Sequence, residues 1–451
     1  MKILNTFTQY AVLLSFALFI SSKPVLADDN KLNTLSESTL SLSEAVQKVI
    51  NNDFSLLTSS LESQSFKSEA ESRDALPDPV FFAAMQNLPT DTFDLDQEAM
   101  TQFRFGVKQM FPKGDSIEIS KQLVLHNKVL QDFIQQKTIL TLKQKTQMAW
   151  LEAWYWQKYK AVIEHDRVFL TQMLDFMQSI YQIGGNNQSD LIGAELELIK
   201  LDEKVLDAER NYQTFRSELN TLANTVFTEE YLSSELITLP VLTIPANENL
   251  YASLAQHPDL LILKETSAQL ADKIALVEQD KKAQWGIEVS YGLRQGENPN
   301  GSNRSDLLSA GLSVQVPLFS GKQKTHGVSS VRYQQDAIEN KYLEKLQKTR
   351  FELENLKQQY ENTLAQRMLF ETQILPTLAK QKQSALQSYE SDKGDFRTVT
   401  DLYIKEQATK VKHQRLRVNE QLILSKINYW LNSDSAIPEK YVRREFDQET
   451  F

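Results

Sequence analysis

The chain has 451 residues, a formal net charge of -10 and a pI near 5.3; no basic stripe offsets that balance, which argues against a nucleic-acid partner. It contains no cysteine, which excludes disulfides, thiolate metal sites, cysteine nucleophiles and the acylated cysteine of a lipoprotein. Only 13 Gly and 12 Pro occur, few for a loop-rich enzyme and well suited to long helices.

The N-terminus reads as an export signal. Lys2 supplies a positive charge, Ala11 to Ile20 form an apolar core, and Val25-Leu26-Ala27 resemble a cleavage site. Residues 1–27 are thus expected to be a signal peptide, with the mature chain starting near Asp28. A membrane anchor is the alternative, disfavoured because the apolar run is too short to span as a helix. No later segment has about 18 consecutive apolar residues. Any further entry into a membrane would need a closed β-barrel, the other structure that satisfies its backbone in lipid.

The chain then aligns with itself. Tyr389 lies 208 residues beyond Tyr181, and the same shift pairs Ser217 with Ser425, Asn220 with Asn428 and Asn224 with Asn432. A shift of 207 pairs Val107 with Val314 and Gly114 with Gly321. These registers divide the mature chain into a first repeat over 28–247, a second over 248–434 and a C-terminal tail over 435–451. Each repeat is expected to hold a helix, two strands around a polar loop, and a long helical hairpin.

Strand signals are clearest in the second repeat. Trp285, Ile287, Val289, Tyr291 and Leu293 alternate with small or polar residues, as do Leu308, Ala310, Leu312, Val314 and Val316. A period of two over about 10 residues suits a membrane barrel strand. Trp285, Val289, Tyr291, Leu312 and Val314 are then the lipid-facing candidates. Phe103, Phe105 and Val107 alternate likewise, whereas Val80 to Leu88 alternates poorly. A soluble hairpin packed on one face is the alternative for all of these.

The helices are long. No proline falls between Pro112 and Pro240, and Gly184-Gly185 mark the turn between a helix from about Asp115 to Ile183 and a return helix to about Asn224. In the return helix Leu191, Ala194, Leu198, Leu201, Val205, Ala208, Tyr212, Phe215, Leu219 and Leu222 keep a seven-residue period, the mark of coiled-coil packing. In the second repeat Glu406, Thr409 and His413 interrupt the equivalent seam, so that helix is expected to be less buried. Pro376 should kink the second long helix.

Other signals point away from chemistry. The histidines at 126, 165, 257, 326 and 413 form no metal-binding pattern, and no phosphate-cradling loop or nucleophile elbow occurs. No enzyme activity, metal or cofactor is expected. Trp150 and Trp154 share a helix face and are expected to be buried between helices.

Several segments resemble the TolC family of outer-membrane efflux proteins. SVQVPLFSGK at 313–322 is similar to the family's strand-to-helix segment, and QMFPKGD at 109–115 is a looser copy. ALPDPV at 75–80 and the segment starting at Asn87 resemble a subgroup pattern around the first strand pair. YQIGGNNQSDLIGAELELIKL at 181–201 and YESDKGDFRTVTDL at 389–402 resemble the family's periplasmic turns, the former closer to the heavy-metal-export branch.

The resemblance implies a mostly α fold with a small β part. Three copies would close a twelve-stranded barrel, each giving four strands, above a long α-helical tunnel. It also implies an outer-membrane exit duct working with a periplasmic adaptor and an inner-membrane pump. By that resemblance Tyr389 and Asp401 match residues of the periplasmic constriction, and Tyr181 is the first-repeat counterpart. Thr398 stands where the family has a second aspartate, and Asp190 occupies the corresponding place in the first repeat. Either carboxylate could instead simply favour the start of a helix. A periplasmic coiled-coil adaptor or scaffold without a pore is the alternative function.

Overall fold

The computed structural model describes residues 39–182, 188–229, 231–245, 247–391, 394 and 396–431. The expected signal peptide, the Gly184-Gly185 turn and the C-terminal tail lie outside the described residues.

The first helices are set by their caps. α1 (Leu42–Asn52) starts at a capping box in which Ser41 Oγ accepts from the Glu44 N–H and the Glu44 carboxylate accepts from the Ser41 N–H. Asp53 ends that helix and caps α2 (Phe54–Ser72) through the Leu56 N–H. Strands β1 (Val80–Gln86) and β2 (Gln102–Met110) follow, then α3 (Ser116–Gln182) and α4 (Gln188–Ala223). The order recurs as α5 (Asn247–Leu254), α6 (Pro258–Gln279), β3 (Gln284–Leu293), β4 (Leu307–Gln315), α7 (Gly321–Leu369), α8 (Leu375–Glu390) and α9 (Phe396–Leu431). α9 starts and ends 208 residues after α4, the shift that pairs Tyr181 with Tyr389.

α3 has 67 residues and runs about 100 Å at 1.5 Å per residue. It packs against α4 through the expected seam: Ala194, Leu201, Ala208, Tyr212 and Leu219 are buried and Leu191, Leu198, Val205, Phe215 and Leu222 half-buried. Further along α3, Trp150 and Trp154 are buried as expected. Their indole N–H groups donate to the carbonyls of Leu40 (3.1 Å) and Ser233 (3.0 Å). Leu40 in turn bridges Leu232 in parallel register. A belt of extended chain is thereby pinned across the helical hairpin, with each buried ring N–H partnered.

One expectation needs revision. α9 is not the less buried helix: Glu406 is only 9% exposed, and Leu416, Val418, Leu424 and Ile427 are buried. Polar groups along α9 are closed by charges from other helices and from α9 itself. Glu406 meets Lys382 and Lys410, His413 meets Glu371, and Arg415 forms a two-pronged pair with Glu152 of α3. The second long helix is interrupted by a π-helical turn at Phe370–Ile374, just before Pro376. The Leu375 N–H reaches back to the Phe370 carbonyl, a wider ring of the kind that accommodates a local misfit in a helix.

α6 is tied in largely by polar groups. Asp259, in its first turn, is held by Lys137 of α3 (2.7 Å) and Lys345 of α7 (3.3 Å). Asp259 therefore stays below the usual carboxylate range, with burial opposing and the two lysines prevailing. His257 caps the helix by accepting the Asp259 N–H at Nδ1, while Nε2 faces the Tyr429 carbonyl. Burial pulls its pKa from 6.5 down to about 4. His126 is the opposite case. Burial pulls it down, but Glu265 (2.6 Å) and Asp272 (3.0 Å) on its two ring nitrogens outweigh that and raise it.

A pH dependence follows from His257. Between pH 6.5 and about 4 the unfolded chain takes up a proton that the folded chain refuses, so stability falls as pH drops through that window. The loss from this group is about 3 kcal/mol at most. Thermal unfolding in detergent should show this acid limb, and His257→Asn, which can cap without titrating, should flatten it.

Candidate functional site

The four strands form one antiparallel sheet in the order β1-β2-β3-β4. Its register sorts the side chains into two faces. Phe81, Ala83 and Met85 stand beside Val107, Phe105 and Phe103, which stand beside Val289, Tyr291 and Leu293. Leu308, Ala310, Leu312 and Val314 complete the same face opposite Tyr291, Val289, Ile287 and Trp285. Apart from Gln109 beside Ile287, this face is apolar, and it carries no charge and is bare: Phe81 is 78% exposed and Leu308 76%. All five lipid-facing candidates, Trp285, Val289, Tyr291, Leu312 and Val314, lie on it and are exposed.

The opposite face is the more polar one and carries the charged side chains of the strands. Arg104 pairs with Glu288 at 2.6 Å and donates to Ser290 Oγ at 2.7 Å. Here three glycines lie under larger neighbours. A β-carbon at Gly106 would stand 2.4 Å from the Phe82 ring, and one at Gly286 2.5 Å from the Met110 sulfur. At Gly292 the obstacle would be the Gln102 side chain. β1 alternates poorly in sequence because Phe82 belongs to this polar face, where Gly106 makes room for it and Arg104 lies 5.4 Å from its ring.

Sequence reasoning missed how the loops beyond the sheet are joined. Arg304 Nη1 donates to the carbonyls of Asp96, Glu98 and Gln295. Arg294 donates to those of Ala99 and Ser305. Two arginines of one loop thus clamp the backbone of the other, a role that a lone Arg in a polar loop does not announce.

The other candidates cluster at the far ends of the helical hairpins. Tyr181 is exposed in the last turn of α3, and Tyr389 is half-buried near the end of α8. Tyr389 packs on Leu174 and Met177 of α3 and Ala194 of α4, so the two hairpins meet there. Thr398 and Asp401 are exposed one turn apart on α9. Asp401 lines an open groove with Arg397 and Ile404 and, from α4, Ser189, Gly193 and Glu197. Asp190 lies in the first turn of α4; its side chain is outside the description. Gly394 allows a close backbone approach: a β-carbon there would stand 2.8 Å from the Tyr389 nitrogen.

Comparison with solved structures decides the fold. CusC, solved in work on folding and transmembrane channel formation, superposes with a TM-score of 0.72 at 14% identity over 86% of this chain and 91% of that one. The chain has the TolC-type channel fold. The outer-membrane channel OprN gives 0.71 at 14% identity over 87% and 90%. The open-state MtrE channel of Neisseria gonorrhoeae gives 0.64 at 15% over 86% and 88%. These neighbours are channels rather than enzymes. No protein-family model and no curated protein matches the sequence.

The sheet's packing yields a directional expectation. Gly106→Val should force Phe82 off the polar face and cost about 1–3 kcal/mol by overpacking. Gly311→Ala, whose added carbon meets nothing nearer than 3.9 Å, should stay within about 0.5 kcal/mol. Denaturant midpoints in detergent would compare them.

Proposed function

We propose that the protein is the outer-membrane exit duct of an efflux or secretion system, acting as a homotrimer with a periplasmic adaptor and an inner-membrane pump. The observation that carries this reading is the sheet: four strands with one bare apolar face, one polar face, and β1 and β4 each hydrogen-bonded on one side only. In lipid, unpaired strand edges are untenable, so β4 of one copy would pair with β1 of the next until the barrel closes. Three copies give about twelve strands, the number that the family resemblance implies. The apolar face then meets the hydrocarbon and the polar face lines the bore.

The rest of the chain fits that assignment. Helices near 100 Å long reach well beyond a bilayer of about 30 Å. Among the described residues no helix is long and apolar enough to cross a membrane, so the sheet is the segment proposed to do so. Tyr181, Asp190, Tyr389, Thr398 and Asp401 are the proposed periplasmic gate, at the hairpin ends farthest along the chain from the strands. Export by a cleaved signal peptide completes the proposal. The order of elements is read as two repeats with the boundaries given above.

Purified protein should run as a trimer and conduct ions in planar bilayers; a non-conducting monomer would refute the duct. Leu312→Arg, on the apolar face, should cost about 2–4 kcal/mol if that face meets mid-bilayer lipid and should deplete the protein from outer-membrane fractions. The likeness of residues 181–201 to the heavy-metal-export branch makes metal ions the favoured cargo. Deleting the gene should then lower tolerance to metal salts; unchanged metal tolerance with lost tolerance to dyes or detergents would end that assignment.

A further inference from the structure

The polar face of the sheet carries an unbalanced charge. Within the four strands only Arg104, Lys108 and Glu288 are ionised, and all three stand on that face. Lys108 lies directly across the β2–β3 ladder from Glu288, a placement suited to a cross-strand ion pair. That pair is not made. The Glu288 carboxylate instead reaches along the sheet to Arg104, whose Nη2 lies 2.6 Å from Oε1.

Arg104 competes better because its guanidinium is anchored at more than one point. Its Nε donates to Ser290 Oγ, and its charged carbon sits 5.4 Å from the centre of the Phe82 ring. A planar fork holds such a geometry at less entropic cost than a lysine ammonium on its flexible stem. The other members of the Lys108 row are Val80 and Gly311, and neither can neutralise it. Among the described residues no carboxylate forms an ion pair with Lys108. Two cations therefore share one anion on this face, a local excess of one positive charge in a chain whose net charge is -10.

We propose that Lys108 is a selectivity-determining residue of the duct. This rests on the channel reading, which turns the polar face inward; the Lys108 side chains of the assembled copies then form a positive belt inside the barrel. The belt draws small anions into the bore and retards cations, opposite to what the acidic net charge of the whole chain would do. Its reach follows the Debye length, about 30 Å at 0.01 M salt and about 3 Å at 1 M. Selectivity from Lys108 is thus strong in dilute salt and lost in concentrated salt.

The test is the reversal potential of single channels of the full-length protein in planar bilayers, with a KCl gradient at low ionic strength. Lys108→Gln should raise the potassium-to-chloride permeability ratio about twofold, and Lys108→Glu should raise it further. Glu288→Gln, which leaves both cations unopposed, should lower the ratio, and Lys108→Arg, which keeps the charge, should leave it at the wild-type value. These differences should vanish in 1 M KCl. Channels of normal conductance with one permeability ratio across all variants would overturn the proposal while leaving the duct intact. Failure of the wild-type protein to conduct would instead overturn the channel reading, and this inference with it. Should Lys108→Glu not assemble, the Gln variants at 108 and 288 still predict opposite shifts, and a common direction would refute the belt.

Discussion

A helix of about 100 Å cannot be covered by one compact core, and everything else in this fold is arranged along α3 to meet that constraint. Its cover is a succession of separate packing zones. The largest gathers Leu40, Trp150 and Trp154 of α3, Leu219 of α4 and Val418 of α9. Smaller ones centre on Ile163 with Leu201, and on Met177 with Ala194. Beside these zones helices are also joined by polar groups, among them Lys137–Asp259, His126–Glu265 and Arg415–Glu152. A buried charge is tolerable only with a partner, so these pairs fix which helices lie side by side as much as they add stability.

The same logic divides the sheet from the helices. The helical region buries apolar residues along its seams while leaving others such as Leu206 and Phe351 exposed, whereas the sheet exposes them on one whole face. Such a patch is unusual on a water-soluble surface and normal against hydrocarbon. Its polar face is built by large side chains lying down over glycines, which keeps that surface shallow. Phe82 over Gly106 and Met110 over Gly286 show the device.

Local patterns made much of this legible in the sequence. The absence of proline between Pro112 and Pro240 set α3 and α4 to within a few residues, and strict alternation located β3, β4 and most of β2. All five apolar-face candidates fell on one face because register follows from parity. What stayed hidden depends on partners distant in sequence. Phe82 is explained by a glycine in the neighbouring strand, and the polar seam of α9 by Lys382 and Glu371 from other helices. At the hairpin ends the family resemblance named the positions, while the contact of Tyr389 with α3 and α4 required the fold.

The π-helical turn before Pro376 has a consequence for how the two hairpins stay in step. α4 and α9 both have 36 residues, yet between the two repeats the offset grows from 207 at Gly114 and Gly321 to 208 at Tyr181 and Tyr389, one residue more in the second long arm. An extra residue in an α-helix rotates all that follows by about 100°. A π turn takes up one residue in a widened ring, resetting the phase with little added length. The second arm therefore holds a one-residue slack at Phe370–Ile374, so its two halves can each keep their own neighbours in register, an adjustment the uninterrupted α3 cannot make.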